Sequence, residues 1–227
     1  MLNARRRGAN AAGARGGAML EFLIALPVLT LAGLAVFQAG LLFQARNMIG
    51  HAIWAAARAG SIENASTERI VEIYRQALQP LDSGYGGIAG IARIEILSPT
   101  REAFADWNDA ELQRSYRTGG KRVIPQAGLE WKDWRDKGGA SGASIHEANL
   151  IHLRVTHGYR MQIPFVGEAI AAALRRLRGG GGGRAEREVG DAFADGLWRD
   201  GRVPVVAEAL MHMQTDAVEP DDFVLLP

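Results

Sequence analysis

The chain has 227 residues, no cysteine and a formal charge of +1. The lack of cysteine excludes a disulfide framework, thiol catalysis and cysteine metal ligands. Four arginines (Arg5, Arg6, Arg7, Arg15) stand in the first 16 residues with no acidic partner, so the charge without that segment is −3, and nucleic acid is not an expected partner.

Phe22 to Phe43 is an uncharged run of 22 residues. As a helix it would extend about 33 Å, enough for a hydrocarbon core of about 30 Å, and it is too long for an ordinary cleaved signal. Gln38 is its one strongly polar side chain. Pro27 reads either as a local kink or as a helix-packing position. The arginines before the run outnumber Arg46 and Arg58 after it, which predicts a cytoplasmic N-terminus and an outer compartment for the rest. Glu21, at the mouth of the run, costs about 2.5–3.5 kcal/mol if it enters the bilayer; left at the interface, it is favoured by the helix dipole.

The helix is expected to continue as a stem. Ala45, Met48, Ile49, Ala52, Ile53, Ala56 and Ala59 share one face, and their small side chains suit packing beside other helices or on the stem's own domain. Gly60-Ser61 is the expected stop.

These residues together resemble the TadE-like family. The resemblance rests on Arg15-Gly16-Gly17-Ala18-Met19-Leu20-Glu21-Phe22, then Leu26-Pro27 in the apolar run, then Ala45-Arg46-Asn47. Such proteins are pilin-like components of tight-adherence (Flp/Tad) pilus systems, with N-termini like those of type IV prepilins. The resemblance implies cleavage after Gly16 by a prepilin peptidase, which makes Gly17 the first mature residue and Glu21 the fifth. Cleavage after Gly17 would make Glu21 fourth and fits less well. The family also implies that Glu21 meets the freed α-amino group of a neighbouring subunit. The partners it implies are the prepilin peptidase, other pilin-like subunits, the Tad inner-membrane machinery and membrane lipid.

Further along, Thr67–Gln79 reads as a helix capped by Ser66, with Ile70, Ile73, Tyr74, Ala77, Leu78 and Leu81 as its apolar stripe and Pro80 as its end. Asp82–Gly87 reads as a loop. Ile91–Leu97 alternates as a strand with Ile94 and Ile96 inward. Arg101–Arg117 suggests one helix. Thr118–Gly142 reads as a long irregular insertion whose Trp131 and Trp134 are expected to pin it to the domain rather than to mark a partner site.

A second strand is expected over Ala148–Thr156, with Ile151, Leu153 and Val155 inward and an edge-like extension from Tyr159 to Ile163. Phe165–Arg178 predicts an amphipathic helix with Phe165, Val166, Ile170, Ala173, Leu174 and Leu177 on one side. Arg175, Arg176 and Arg178 would complement its C-terminal dipole. The glycines 179–183 suit a flexible linker and, without a following Gly-Lys-Ser/Thr, not a phosphate loop. Val189, Phe193 and Leu197 suggest a short helix. Val203 to Met213 alternates as the last strand, starting near Pro204, and the tail from Asp216 is expected to be poorly ordered.

The histidines invite a metal reading, but on a strand His152 and His157 point to opposite faces, and His146 lies six residues earlier. No Gly-x-Ser-x-Gly and no Asp-x-Ser-x-Ser motif occurs. Asn64-Ala65-Ser66 matches a glycosylation triplet of a kind common by chance. No catalytic residue, metal or cofactor is expected, and the chain reads as a non-enzyme.

The expected architecture is α+β. Residues 1–16 form the basic leader and 17–60 the transmembrane helix and stem. Residues 61–227 form a periplasmic pilin-like domain with an antiparallel sheet and helices, in an order the pattern does not give. The location is the inner membrane, single-pass, with pilus association as a further expectation. Two alternatives stay open: an unprocessed single-span envelope protein with an outer binding domain, and a type II secretion pseudopilin.

Overall fold

The computed structural model describes residues 10–85, 91–116, 119–163, 165–179 and 190–226, with side chains described at all of these except 10–18, 81–85, 175, 177–179, 190 and 191. In chain order the elements are α1 (Asn10–Ile62), α2 (Thr67–Tyr85), β1 (Ala92–Ser98), α3 (Arg101–Asp106), α4 (Ala110–Ser115), β2 (Val123–Ile124), a 3-10 turn (Leu129–Trp131) and α5 (Ile145–Ala148). There follow β3 (Leu150–Arg160), α6 (Val166–Gly179), α7 (Gly190–Arg199), β4 (Arg202–His212), β5 (Ala217–Val218) and β6 (Val224–Leu225). This is a mixed α+β chain with a long N-terminal helix and an antiparallel sheet. Arg5, Arg6, Arg7, Val189 and the glycines 180–183 lie outside the described residues.

The chain divides into two compact units, one of residues Met1–Leu42 with Met161–Gly182, the other of Phe43–Arg160 with Gly183–Pro227. In the first unit α1 is a nearly unbroken apolar surface: Leu23, Val28 and Phe37 are each more than 60% exposed. The stretch Met19–Ile62 of α1 is long and apolar enough to cross a membrane. The other helix of this unit, α6, opens with Val166 and Gly167 buried. Phe165 was expected on that buried side but stands 80% exposed, because a positive φ of 62° just before the helix turns it away.

The second unit is built on a four-stranded sheet of order β4-β3-β1-β6. All three β1–β3, β1–β6 and β3–β4 pairings are antiparallel. The alternation read from the sequence sets its faces: Ile94, Ile151, Leu153 and Val155 are fully buried on one side. On the opposite face Glu95, Arg154 and Glu208 lie in one row across the three long strands. Arg154 Nε donates to Glu208 Oε1 at 2.6 Å, and His152 Nε2 lies 3.0 Å from Glu208 Oε2. The Arg154 hydrogen bond holds the Glu208 carboxyl below its ordinary range. Helix α7 covers the far end of this face, where the Arg93 guanidinium sits over the Phe193 ring at 5.1 Å. Tyr159 and Arg160 prolong β3 in continuous pairing with β4, at Val203 and Arg202, rather than as a separate edge.

The stem part of α1 packs inside this unit. Ala45, Ile49, Ala52, Ile53 and Ala56 are 0–1% exposed. The small-residue face that suited other subunits' helices is therefore filled by the stem's own domain. Gly60 allows a close approach: a Cβ there would meet Ile151 Cδ1 at 2.7 Å and Ile70 Cδ1 at 3.0 Å. Gly60→Leu should lower stability by about 1–3 kcal/mol through overpacking. Thermal unfolding of the full chain in nanodiscs would show this as a lower midpoint, and an unchanged midpoint would mean the core yields.

Several boundaries differ from expectation. Pro80 lies inside α2, which runs to Tyr85. A proline removes one i→i−4 bond, but its fixed φ is itself helical, so it can sit within a helix without ending it. Residues 82–85 are thus helical, and 86–87 lie outside the described residues. Arg101–Arg117 forms two helices, because Thr100 caps α3 and Asp109 caps α4 with bonds to the amides of Glu111 and Leu112. The tail from Asp216 is structured: β5 pairs with β2, and β6 pairs with β1. Asn64 helps hold its start, donating from its backbone to Thr215 Oγ1 at 3.0 Å and from Nδ2 to the Asp216 carbonyl at 2.8 Å.

The tryptophans do not pin the insertion. Trp131 is 84% and Trp134 65% exposed. Its start is held by β2, where Val123 and Ile124 are buried and pair with β5; its end is held by polar groups. Asp106 accepts from the amides of Ala140 and Ser141 and from the Ser141 hydroxyl, which keep its carboxyl below the ordinary range. Trp107 Nε1 donates to the Ala143 carbonyl, and Ser144 with Glu147 forms a capping box at α5.

Candidate functional site

The residues singled out in the sequence lie along one helix. Gly16 and Gly17 fall within the backbone of α1, and Glu21 follows one turn later with an exposed side chain. Gly17 and Glu21 are thus about 6 Å apart along the axis. Among the described residues nothing hydrogen-bonds or pairs with the Glu21 carboxylate. Pro27 is inside the helix, where the missing N–H leaves the Leu23 carbonyl without its usual donor. One turn on, the Thr30 hydroxyl donates to the Leu26 carbonyl at 2.8 Å.

Gln38 is the site residue whose partners the sequence did not give. Its side chain is fully buried. Oε1 accepts from the backbone N–H of Gln162 at 3.1 Å and of Ile163 at 2.8 Å, and Nε2 donates to Met161 Sδ at 3.2 Å. The amide therefore serves a non-helical segment lying just before α6. Within a span, both an uncompensated carboxamide and uncompensated backbone donors are costly, and here each satisfies the other. A lone amide in an apolar run was the available signal; nothing in the local pattern pointed to residues more than a hundred positions away. Gln38→Leu should remove the acceptor of the Ile163 N–H and destabilise the first unit by about 2 kcal/mol. Hydrogen exchange at the 163 amide, measured in nanodiscs, should accelerate strongly; unchanged protection would show that another acceptor takes over.

The arrangement offers a carboxylate at the head of an exposed apolar rod. Residues 16–58 match the family model described as TadE-like protein. The TadE-like segment takes in both glycines, Glu21, Pro27, Gln38 and most of the stem, about a fifth of the chain. That segment supports a component associated with the Tad pilus. No curated protein and no solved structure matches the chain.

Outside the TadE-like segment the histidines are separated. His146 Nε2 lies 3.1 Å from the Lys132 carbonyl, His152 contacts Glu208, and His157 is buried on the opposite face of β3 against the Tyr74 hydroxyl. Among the described residues no three His, Asp or Glu side chains gather as a metal site would require.

Proposed function

We propose that the chain is a non-enzymatic, pilin-like component of Tad/Flp-type pilus biogenesis. It is made as a membrane-inserted precursor with its N-terminus in the cytoplasm and its second unit in the periplasm. Prepilin peptidase cuts it after Gly16, leaving Gly17 as the new N-terminus. The observation that carries this reading is the TadE-like match beginning at Gly16, with Glu21 placed at the head of a span whose apolar side chains are open to neighbours.

Because the stem's small-residue face is occupied by the protein's own core, contact with other pilin-like subunits falls to the span between Met19 and Phe43. Without a hydrophobic drive between helices inside lipid, such contact depends on close packing and on polar pairing. Glu21 supplies the polar part: paired with a partner's freed α-amino group, a charge that is expensive alone is offset.

The test is the intact mass of membrane-extracted protein co-expressed with its prepilin peptidase. Loss of residues 1–16 is the expected result. An uncut chain beside an active peptidase would overturn the proposal and leave an unprocessed membrane anchor.

A further inference from the structure

Helix α6 starts three residues after Ile163, whose N–H is held by Gln38. Gln38 lies five residues before Phe43, the last residue of the uncharged run. Five residues of helix rise about 7.5 Å, within the roughly 5–10 Å depth at which amphipathic helices sit in a membrane interface. The bond from the span thus fixes the start of α6 near the boundary between acyl chains and headgroups.

The surface of α6 fits that location. Ala169, Ala172 and Arg176 are all exposed and recur at i, i+3 and i+7, which places them on one face, and Phe165, just before the helix, is exposed as well. The opposite face holds Val166, Gly167 and Ala171, all buried. Phe165 leads the exposed face in a left-handed backbone conformation that bulky residues rarely adopt. In water that conformation exposes an aromatic ring to no benefit; at an acyl boundary the same exposure buries it. Glu168 stands on the shoulder of this face in the first turn, where the helix dipole favours it. The last turn carries Arg175, Arg176 and Arg178 in the sequence, a cationic end suited to anionic headgroups.

We propose that α6 is a membrane-surface helix, lying in the interface of the leaflet nearest Gln38, with Phe165, Ala169 and Ala172 against acyl chains and its arginine-rich end among anionic headgroups. The proposal rests on α1 being the membrane span. The protein then holds the bilayer at two places, one crossing it and one lying on it, with Gln38 joining the two.

The absence of cysteine allows a direct test with single nitroxide labels on the full chain. Ala169→Cys, Leu29→Cys and Asp133→Cys variants would be reconstituted into phosphatidylethanolamine–phosphatidylglycerol nanodiscs. Accessibility to oxygen and to a water-soluble nickel chelate would be compared by power saturation. The expected result is oxygen-dominated relaxation at 29 and 169 and nickel-dominated relaxation at 133. Nickel-dominated relaxation at 169 with oxygen dominance at 29 would overturn the α6 proposal alone. Low access to both reagents at 169 would place that face in a protein contact and would also overturn it. Nickel dominance at 29 would remove the span itself, and the proposal with it.

Discussion

Lowering the pH from 7 to 4.5 is expected to destabilise the second unit by about 2 kcal/mol through one side chain, His157. The ring is 3% exposed, in β3, and its Nδ1 lies 3.0 Å from the Tyr74 hydroxyl. Burial first, and the Arg202 charge second, push its pKa down to about 4 from 6.5. The sign follows from proton counting. Between these two values the unfolded chain binds a proton that the folded chain refuses, so stability is full above about pH 6.5 and falls as the pH drops toward 4. Glu147 and Glu208, whose carboxyls are held below the ordinary range by Lys137 and Arg154, begin to lose their contributions as the pH approaches about 4.5, so the loss between about pH 6.5 and 5 is mainly that of His157.

Urea unfolding of the full chain across this interval should show the loss, and a His157→Phe variant should show little slope. A slope that persists in that variant would assign the effect elsewhere. Tyr74 completes the pair. Burial pushes its phenol strongly up, so it stays neutral beside the histidine nitrogen. Tyr74→Phe leaves the histidine nitrogen without a partner and should cost about 1–3 kcal/mol at neutral pH.

Glu21→Leu is expected to leave membrane insertion and leader cleavage intact and to reduce incorporation with other pilin-like subunits by at least about tenfold. A neutral side chain enters the bilayer about 3 kcal/mol more easily than a carboxylate, so a loss of assembly could not be blamed on insertion. In the proposed assembly the variant lacks the counter-charge for a partner's α-amino group, and an unpaired charge at low dielectric is costly by several kcal/mol. Quantifying the tagged variant in sheared and envelope fractions, with intact mass as the processing control, decides the matter. Wild-type incorporation would show that Glu21 is only an interfacial carboxylate.

The strongest periodicities correspond to elements that the structure contains. The apolar run gives α1, and the alternations around Ile94, Leu153 and Val205 give the three long strands with their inward faces. Local pattern reports how often a residue turns toward a core, and these segments have a clear rhythm. It does not report which segment lies opposite. For that reason the Tyr74–His157 pair, the bond from Gln38 to the 162–163 backbone and the strand order were invisible. The two-residue strands β2, β5 and β6 were too short to carry a rhythm. The tail was misread for a related reason, since a polar terminus is ordered when strands elsewhere pair with it, as β2 and β1 do; Pro80 was misread because its fixed φ is compatible with a helix. Trp131 and Trp134 were misread because aromatic character suggested burial, whereas Asp106, Trp107 and the α5 capping box hold the end of that insertion through polar bonds.

Strand β4 closes the sheet on one side, and among the described residues its 11 residues pair with β3 alone. An open border of that length is a template for adding a strand from another molecule, and so a route to aggregation. Two residues guard it. Pro204 removes one donor from the strand, and Glu208 keeps an exposed carboxylate on it. The protein therefore carries its own protection against sticking to copies of itself at the high local density of a crowded membrane. Substituting valine at both guards would test that protection as a rise in sedimenting, sheet-rich material, with no change needed in α1.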